Sequence, residues 1–321
     1  MNKLIILSLL TVTGCAEFEP GSLLTETRVL GAKVQVAGDP ERATPRPGET
    51  ADLTFVIEGV TPSPVVRWSL AVCLPTSAPA PCSQTPLTSA AGAGTTPSVR
   101  LVVPADSALG DARTLHVSGV ICTEGEPDDG RGGCVGDGAE GTPLVYELAL
   151  ARGADGGDLN RQPNVQQTRL RFDGKAWNEG TALVQGCAAQ PELPQAVANE
   201  KEHRITIELG PDARELYMGP GGRATYEELQ LSTFVDAGEL ERQFSFVSPT
   251  DARARPTVEL KWTAPKQSRV QTADRGVRFV VLVRDGRGGL ARIERAICAV
   301  RASSGQVSAA LTEARPDSAP R

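Results

Sequence analysis

Alternation of apolar and polar residues recurs in short runs along this chain. In residues 51–59 the apolar positions are Leu53, Phe55 and Ile57, which places them on one face of a strand. Residues 65–73 repeat the pattern with Val66, Trp68, Leu70 and Val72. Residues 27–36, 99–103, 114–122 and 144–150 supply four more strands, and Pro45-Arg46-Pro47-Gly48-Glu49-Thr50 marks a turn. A second series opens at 168–174 and continues through 181–186, 203–209, 228–235, 240–247, 257–263, 278–284 and 290–300. Ile205, Ile207 and Leu209 alternate in one of these, and Val258, Leu260 and Trp262 in another. Asp236-Ala237-Gly238-Glu239 and Asp285-Gly286-Arg287-Gly288-Gly289 are predicted as hairpin turns.

The pattern predicts an all-β protein with two immunoglobulin-like β-sandwich domains in tandem. Six strands separated by turn-rich gaps within 27–150 fit the first sandwich. Residues 151–163 are Gly-, Asp- and Asn-rich without periodicity and are expected to be a linker. The second sandwich is expected over 164–301, and 302–321, rich in Ser, Ala and Pro, as a disordered tail. The Cys…Trp…Cys order of antibody domains is absent, so the likeness is architectural.

Composition supports short strands over long helices: 33 Gly and 24 Pro punctuate the chain, and aromatic residues are 4%. There are 33 basic and 39 acidic side chains, a net charge of −6. That mild acidity argues against nucleic acid as a partner, which needs a clustered basic face.

The first fifteen residues decide where the rest is expected to reside. Lys3 precedes a mostly apolar run from Leu4 to Val12, the layout of a signal peptide over 1–14. The run is too short to span a bilayer, which takes about 20 apolar residues. Val12-Thr13-Gly14-Cys15 resembles a bacterial lipobox. The resemblance implies cleavage after Gly14, diacylglycerol on the Cys15 thiol and acylation of the new amine. More than one acyl chain makes anchoring stable. Ala16 follows the cysteine, not Asp, which by resemblance to proteobacterial sorting favours the outer membrane, at its periplasmic or cell-surface face. Residues 15–26 are expected to be a lipidated tether, with the membrane as partner through the anchor.

A further resemblance lies in the last third. Glu259-Leu260-Lys261-Trp262-Thr263-Ala264-Pro265, then Phe279-Val280-Val281-Leu282-Val283-Arg284 and the Asp285–Gly289 turn, look like the end of a PKD- or cadherin-like sandwich. With the lipobox and scattered cysteines, the layout is similar to cell-surface lipoproteins of myxobacteria. That likeness implies location and fold and carries no mechanism.

Six cysteines remain besides Cys15, an even number that in an exported protein predicts disulfides. Cys73 with Cys82 and Cys122 with Cys134 are the favoured local pairings, because short loops close easily. Cys73 with Cys122 is the alternative. Cys187 and Cys298 are the two cysteines of the second domain and are expected to pair. With two histidines and no Cys-x-x-Cys, zinc is unsupported, and neither metal nor cofactor is expected.

The remaining candidates for chemistry each have a plainer explanation. Glu124, Glu126, Asp128, Asp129 and Asp137 form an acidic, Gly-rich stretch that could hold Ca²⁺, but the spacing is not that of an EF-hand, and a solvated loop is favoured. Asp285–Gly289 lacks the following helix and Lys of a phosphate loop. His116 lies in a strand, and His203, after Glu200-Lys201-Glu202, is expected to be exposed. Glu227-Glu228 and Glu239/Glu241 are carboxylate pairs of the kind glycoside hydrolysis uses. Trp68 and Trp262 sit on apolar strand faces, whereas Trp177 has a loop context open to a glycan. The expected function is non-catalytic: a lipid-anchored envelope protein that binds or scaffolds an envelope protein or glycan. The alternative is a glycan-active envelope enzyme using acidic loop residues.

Overall fold

The structure is a computed structural model that describes residues 20–75, 82, 85–128, 132–152, 159–179, 187, 192–219, 222–270 and 274–301. The leader, Cys15, the stretch 181–186 and the tail 302–321 lie outside these residues. The fold is all-β, and apart from one parallel pairing its sheets are antiparallel.

Among the described residues the first half contains seven strands: β1(Arg28–Val36), β2(Thr50–Glu58), β3(Val66–Cys73), β4(Thr88–Gly94), β5(Ser98–Val102), β6(Thr114–Pro127) and β7(Cys134–Ala149). They form a β1-β2-β5 sheet and a β4-β3-β6-β7 sheet. The alternating residues meet in one core. Leu53, Phe55 and Ile57 of β2 pack with Trp68, Leu70 and Val72 of β3 and with Val117, Ile121, Leu144 and Leu148. β4, Thr-Ser-Ala-Ala-Gly-Ala-Gly, has no hydrophobic alternation. It pairs with β3 and lies against Trp68, where a Cβ on Gly92 would come within 2.8 Å of the indole. The acidic stretch expected as a loop is largely strand: Glu124 and Glu126 belong to β6 and Asp137 to β7, in a long bulged ribbon.

The second half adds β8(Arg169–Phe172), β9(Lys175–Ala176), β10(Gln195–Val197), β11(Glu202–Glu208), β12(Leu216–Met218), β13(Ala224–Tyr226), β14(Leu229–Val235), β15(Glu239–Leu240), β16(Phe244–Val247), β17(Thr257–Thr263), β18(Asp274–Arg284) and β19(Leu290–Val300). Two five-stranded sheets, β10-β19-β18-β14-β16 and β15-β17-β11-β8-β9, enclose a core that includes Trp262, Phe279, Ile205, Leu260 and Ile297. The 285–289 turn closes the β18–β19 hairpin as expected. Residues 236–239 do not form a hairpin turn: the chain crosses there to the opposite sheet, where β15 pairs with β17, and returns to β14 as β16.

β18 breaks the alternation. Val277 to Val283 are all buried. Val277, Phe279, Val281 and Val283 face the second core. Val280 and Leu282 face the other way, into a cluster with Phe234, Leu290, Leu24 and Leu30. The first half therefore covers the outer face of this sheet. A strand buried on both faces reads as a continuous apolar run.

One charged residue interrupts that run, and it organises the seam. Arg278 is 0% exposed and Glu58, at the end of β2, is 2% exposed. The Arg278 guanidinium donates to Glu58 Oε2 and, at 2.6 Å, to the Gly59 carbonyl. Arg292 Nε donates to Glu58 Oε1 at 2.7 Å. Further along, Arg284 donates to the Leu30 carbonyl, and Gln162 Nε2 to the Val34 carbonyl at 2.5 Å. Gln162 Oε1 accepts from Leu290 N at 2.8 Å.

Two segments expected as spacers are docked at their described ends. Asn160 and Gln162, from the 151–163 stretch, are buried. Asn160 N donates to Thr44 Oγ1 at 2.9 Å and Gln162 N to the Glu41 carbonyl at 2.7 Å. From the expected tether, Leu24 is buried in the seam, and Leu23 bridges Val235 of the second half. Polar backbone in these segments finds partners across the seam, which the turn-like composition does not reveal.

Removing one member of a buried ion pair leaves the other charge uncompensated. Glu58→Ala is expected to lower unfolding free energy by about 3–5 kcal/mol, and Glu58→Met with Arg278→Met to recover most of the loss. Urea denaturation followed by tryptophan fluorescence measures both.

Candidate functional site

The three disulfides pair as favoured from sequence. Cys73–Cys82 and Cys122–Cys134 each have a Cα separation of 5.9 Å, and Cys187–Cys298 has 5.6 Å. The first two frame a recess on the outward face of the four-stranded sheet. Register places Ser69, Val120 and Pro143 side by side across β3, β6 and β7, with Ala71, Ser118 and Val145 in the next row. These small side chains keep the face shallow, and the recess is about 380 Å³. Cys82 N donates to Ser118 Oγ at 3.0 Å, so Cys82, bridged to Cys73, borders one side. On the other side, Cys134 Sγ lies over Gly141, where a Cβ would meet it at 2.1 Å. Only glycine at that position leaves room for the bridge. Val145 is 63% exposed beside buried Val120 and Ser118, so the recess is mostly apolar with the Ser118 hydroxyl in its floor.

A second cluster lies where the 159–162 stretch meets the β18–β19 turn. Asp285 Oδ1 accepts from Arg287 N and Gly289 N at 2.8 and 2.9 Å, and Oδ2 from Asn160 Nδ2 at 2.8 Å. Glu227 accepts from Arg287 Nη1 at 2.7 Å and from Glu215 N at 3.0 Å. The Arg287 guanidinium lies over Tyr217, 4.3 Å from the ring centre, and donates to the Leu159 carbonyl at 2.7 Å. Burial raises the Glu227 carboxyl, and the Asp285 and Glu215 charges add to it. These outweigh the Glu215 N–H and Arg287, and its pKa stands at about 7.

The other candidates fall apart in space. Glu228 is exposed while Glu227 is buried, because neighbours in extended chain point to opposite sides. Glu239 and Glu241 are exposed at the β15 sheet edge. His203 is buried, contrary to expectation. It stacks on Phe172 at 5.0 Å, and its Nδ1 lies 2.8 Å from Asp173 Oδ2. Partial burial opposes ionisation of Asp173, but hydrogen bonds from His203 and Arg204 N win and lower its pKa. His116 is half-buried in β6, opposite Cys73 and Glu147. Trp177 is also buried, not looped out, and its Nε1 donates to the Ala296 carbonyl at 2.7 Å. Phe172 and Phe279 meet it edge-on. Trp68 and Trp262 are core residues as expected. Among the described residues no group of three or more His, Cys, Asp or Glu is placed to hold a metal ion, and no helix is long and apolar enough to cross a membrane. Cys15 and Asp129 lie outside the described residues.

Sequence reading missed the hub residues Asn160, Gln162 and Asp285. The signal at Asn160 and Gln162 was an amide side chain inside a Gly- and Asp-rich stretch, while Asp285 was seen only as part of a turn. Comparison with known proteins adds nothing: no family model and no curated protein matches the chain.

Glu227 links the second cluster to pH. Its folded pKa is raised above the unfolded value, so the native state holds the proton through the window between them. That contribution to stability is complete below the unfolded carboxyl pKa of about 4.3 and is lost as pH rises through about 7. Glu227→Gln removes it. Urea midpoints measured from pH 5 to 8 are expected to fall more steeply in the wild type than in the variant, in the sense worked out above.

The longest disulfide sets the other expectation. Cys187–Cys298 closes a separation of 111 residues, for which the chain-entropy model gives about 4.7 kcal/mol. Cys298→Ser is expected to lower the melting temperature sharply and to expose one thiol at Cys187, read by mass-tagging of free thiols.

Proposed function

We propose that this chain is a non-catalytic, lipid-anchored protein of the outer membrane. In this reading it carries two immunoglobulin-like sandwiches and binds or scaffolds an envelope protein or glycan. The carrying observation is the cysteine inventory. Of seven cysteines, six are joined in three disulfides, which suit an oxidising compartment, and the seventh is Cys15 in the lipobox-like Val12–Cys15 stretch. The likeness of the last third to myxobacterial surface lipoproteins supports the same placement. The recess over Ser69, Ser118 and Val145 is the surface offered to a ligand, since two disulfides hold its sides in fixed positions. The carboxylates and imidazole that chemistry would need are engaged elsewhere: Glu227 with Arg287, Asp285 with Asn160, His203 with Asp173.

One observation favours the second reading, a glycan-active enzyme. A carboxyl with pKa about 7 has the value a general acid needs near neutral pH. Hydrolysis assays on glycan panels separate the two. Turnover lost in Glu227→Gln and kept in Glu228→Gln would establish the enzyme; absence of turnover with retained glycan or protein binding supports the scaffold.

For the anchor itself, Cys15→Ser is expected to abolish acyl labelling and to leave a precursor that keeps residues 1–14. Fractionation with metabolic lipid labelling reads both. Unchanged membrane retention of that variant refutes the anchor.

A further inference from the structure

β16 is the outermost strand of the β10-β19-β18-β14-β16 sheet. Its outward residues are both phenylalanine, with Phe244 46% and Phe246 57% exposed, while Ser245 and Val247 point inward and are buried. The same outward face is apolar further along, at Phe234, Val280 and Leu282, and there Leu24 and Leu30 cover it. The two rings continue that covered face to its open edge.

The chain arriving from Cys15 enters at this edge. Thr233 N donates to the Gln243 carbonyl, the residue before β16. Two residues on, Val235 N donates to the Ser22 carbonyl at 2.9 Å, and Leu24 N donates to the Val235 carbonyl at 2.8 Å. Alternate residues of a strand direct their N–H and C=O groups to the same side. Residues 22–24 therefore lie along the side of β14 that β16 occupies. A Cβ on Gly21 would sit 3.0 Å from Gln243 Oε1. Arg28 Nη1 holds the Gly21 carbonyl at 3.0 Å. Five residue steps separate Cys15 from Pro20, a reach of about 17 Å at full extension.

We propose that Phe244 and Phe246 rest on the lipid surface to which Cys15 is anchored, seated at the boundary between headgroups and acyl chains. The proposal rests on the lipid-anchor reading above. An acylated Cys15 stays at the membrane interface, and the short reach holds the Pro20–Gln243 edge close to it. Two solvent-exposed rings at that edge then have an apolar phase within reach, and aromatic residues on an amphipathic surface partition into this boundary. The anchor fixes distance, and the phenylalanines fix which side of the molecule faces the bilayer.

The test uses the full-length acylated protein in phosphatidylethanolamine–phosphatidylglycerol vesicles, with Phe244→Trp and Phe246→Trp made separately. Trp68, Trp177 and Trp262 are buried and give a shielded background. Lipids brominated near the headgroup are expected to quench the added tryptophan in both variants and to shift its emission to the blue. In wild-type protein, vesicle binding is expected to slow amide exchange over 244–247, a readout that needs no substitution. Vesicle flotation with acyl mass on Cys15, but an unquenched tryptophan and unchanged exchange, overturns this proposal and leaves the anchor standing. No flotation and no acyl mass on Cys15 overturns the anchor reading, and this proposal with it. Unquenched tryptophan with crosslinks between copies at 244 and 246 also overturns it and assigns the edge to a second copy of the chain.

Discussion

The buried contact between Glu58 and Arg278 is the constraint from which the rest of the architecture follows. Arg278 sits in the middle of an apolar strand and is excluded from water. A guanidinium there is tolerable only with a carboxylate and further acceptors in place. Glu58 supplies the carboxylate, Gly59 a carbonyl, and Arg292 shares the carboxylate's second oxygen. All acceptors come from the far end of β2, so the second half desolvates this charge only when the first half is docked in one position. Apolar packing around Leu30, Val280 and Leu282 supplies attraction without direction. The ion pair supplies the register.

Seen from that seam, the limits of the sequence reading have a physical cause. Strands with one wet face announce themselves by alternation, and β2, β3, β11 and β17 were found on that basis. β18 carried different information. Phe279 to Val283 is a continuous apolar run, and continuity signals a second covered face. Read that way, it would have indicated docked halves in place of beads on a linker. The interrupting Arg278 would have indicated a buried partner. β4 was invisible for the opposite reason: it is built of small residues, and at Gly92 Trp68 occupies the space a side chain would fill.

The candidate sites divide in the same way. Cysteine spacing favoured the local pairs but left Cys73 with Cys122 open in the first half, and only the isolated Cys187 and Cys298 had a single partner to find. The recess was not legible, because small residues such as Ser69, Ala71 and Ser118 become a surface feature only when register aligns them across three strands. His203 and Trp177 were misplaced by their neighbours. Polar residues precede His203, but strand parity turns its own side chain inward onto Phe172 and Trp262. Trp177 follows a tight Asp173-Gly174 turn and folds back over the core, where the Ala296 carbonyl takes its N–H.

Chain order is a poor guide to spatial order in this molecule. A tether followed by one domain and then another suggests segments leading outward from residue 15. Instead Ser22 and Leu24 hydrogen-bond to β14 of the second half before the chain enters β1 of the first. Residues 159–162 then return across the seam to Thr44, Val34 and Leu290. The N-terminal segment is thus a structural strip of the C-terminal half, and the part of the fold nearest the point of entry is made last. Both crossings tie backbone of one half to the other, so the recess on β3, β6 and β7 has a fixed direction relative to the Pro20 end. The recess is therefore a fixed feature of the docked halves, set at one angle by the seam.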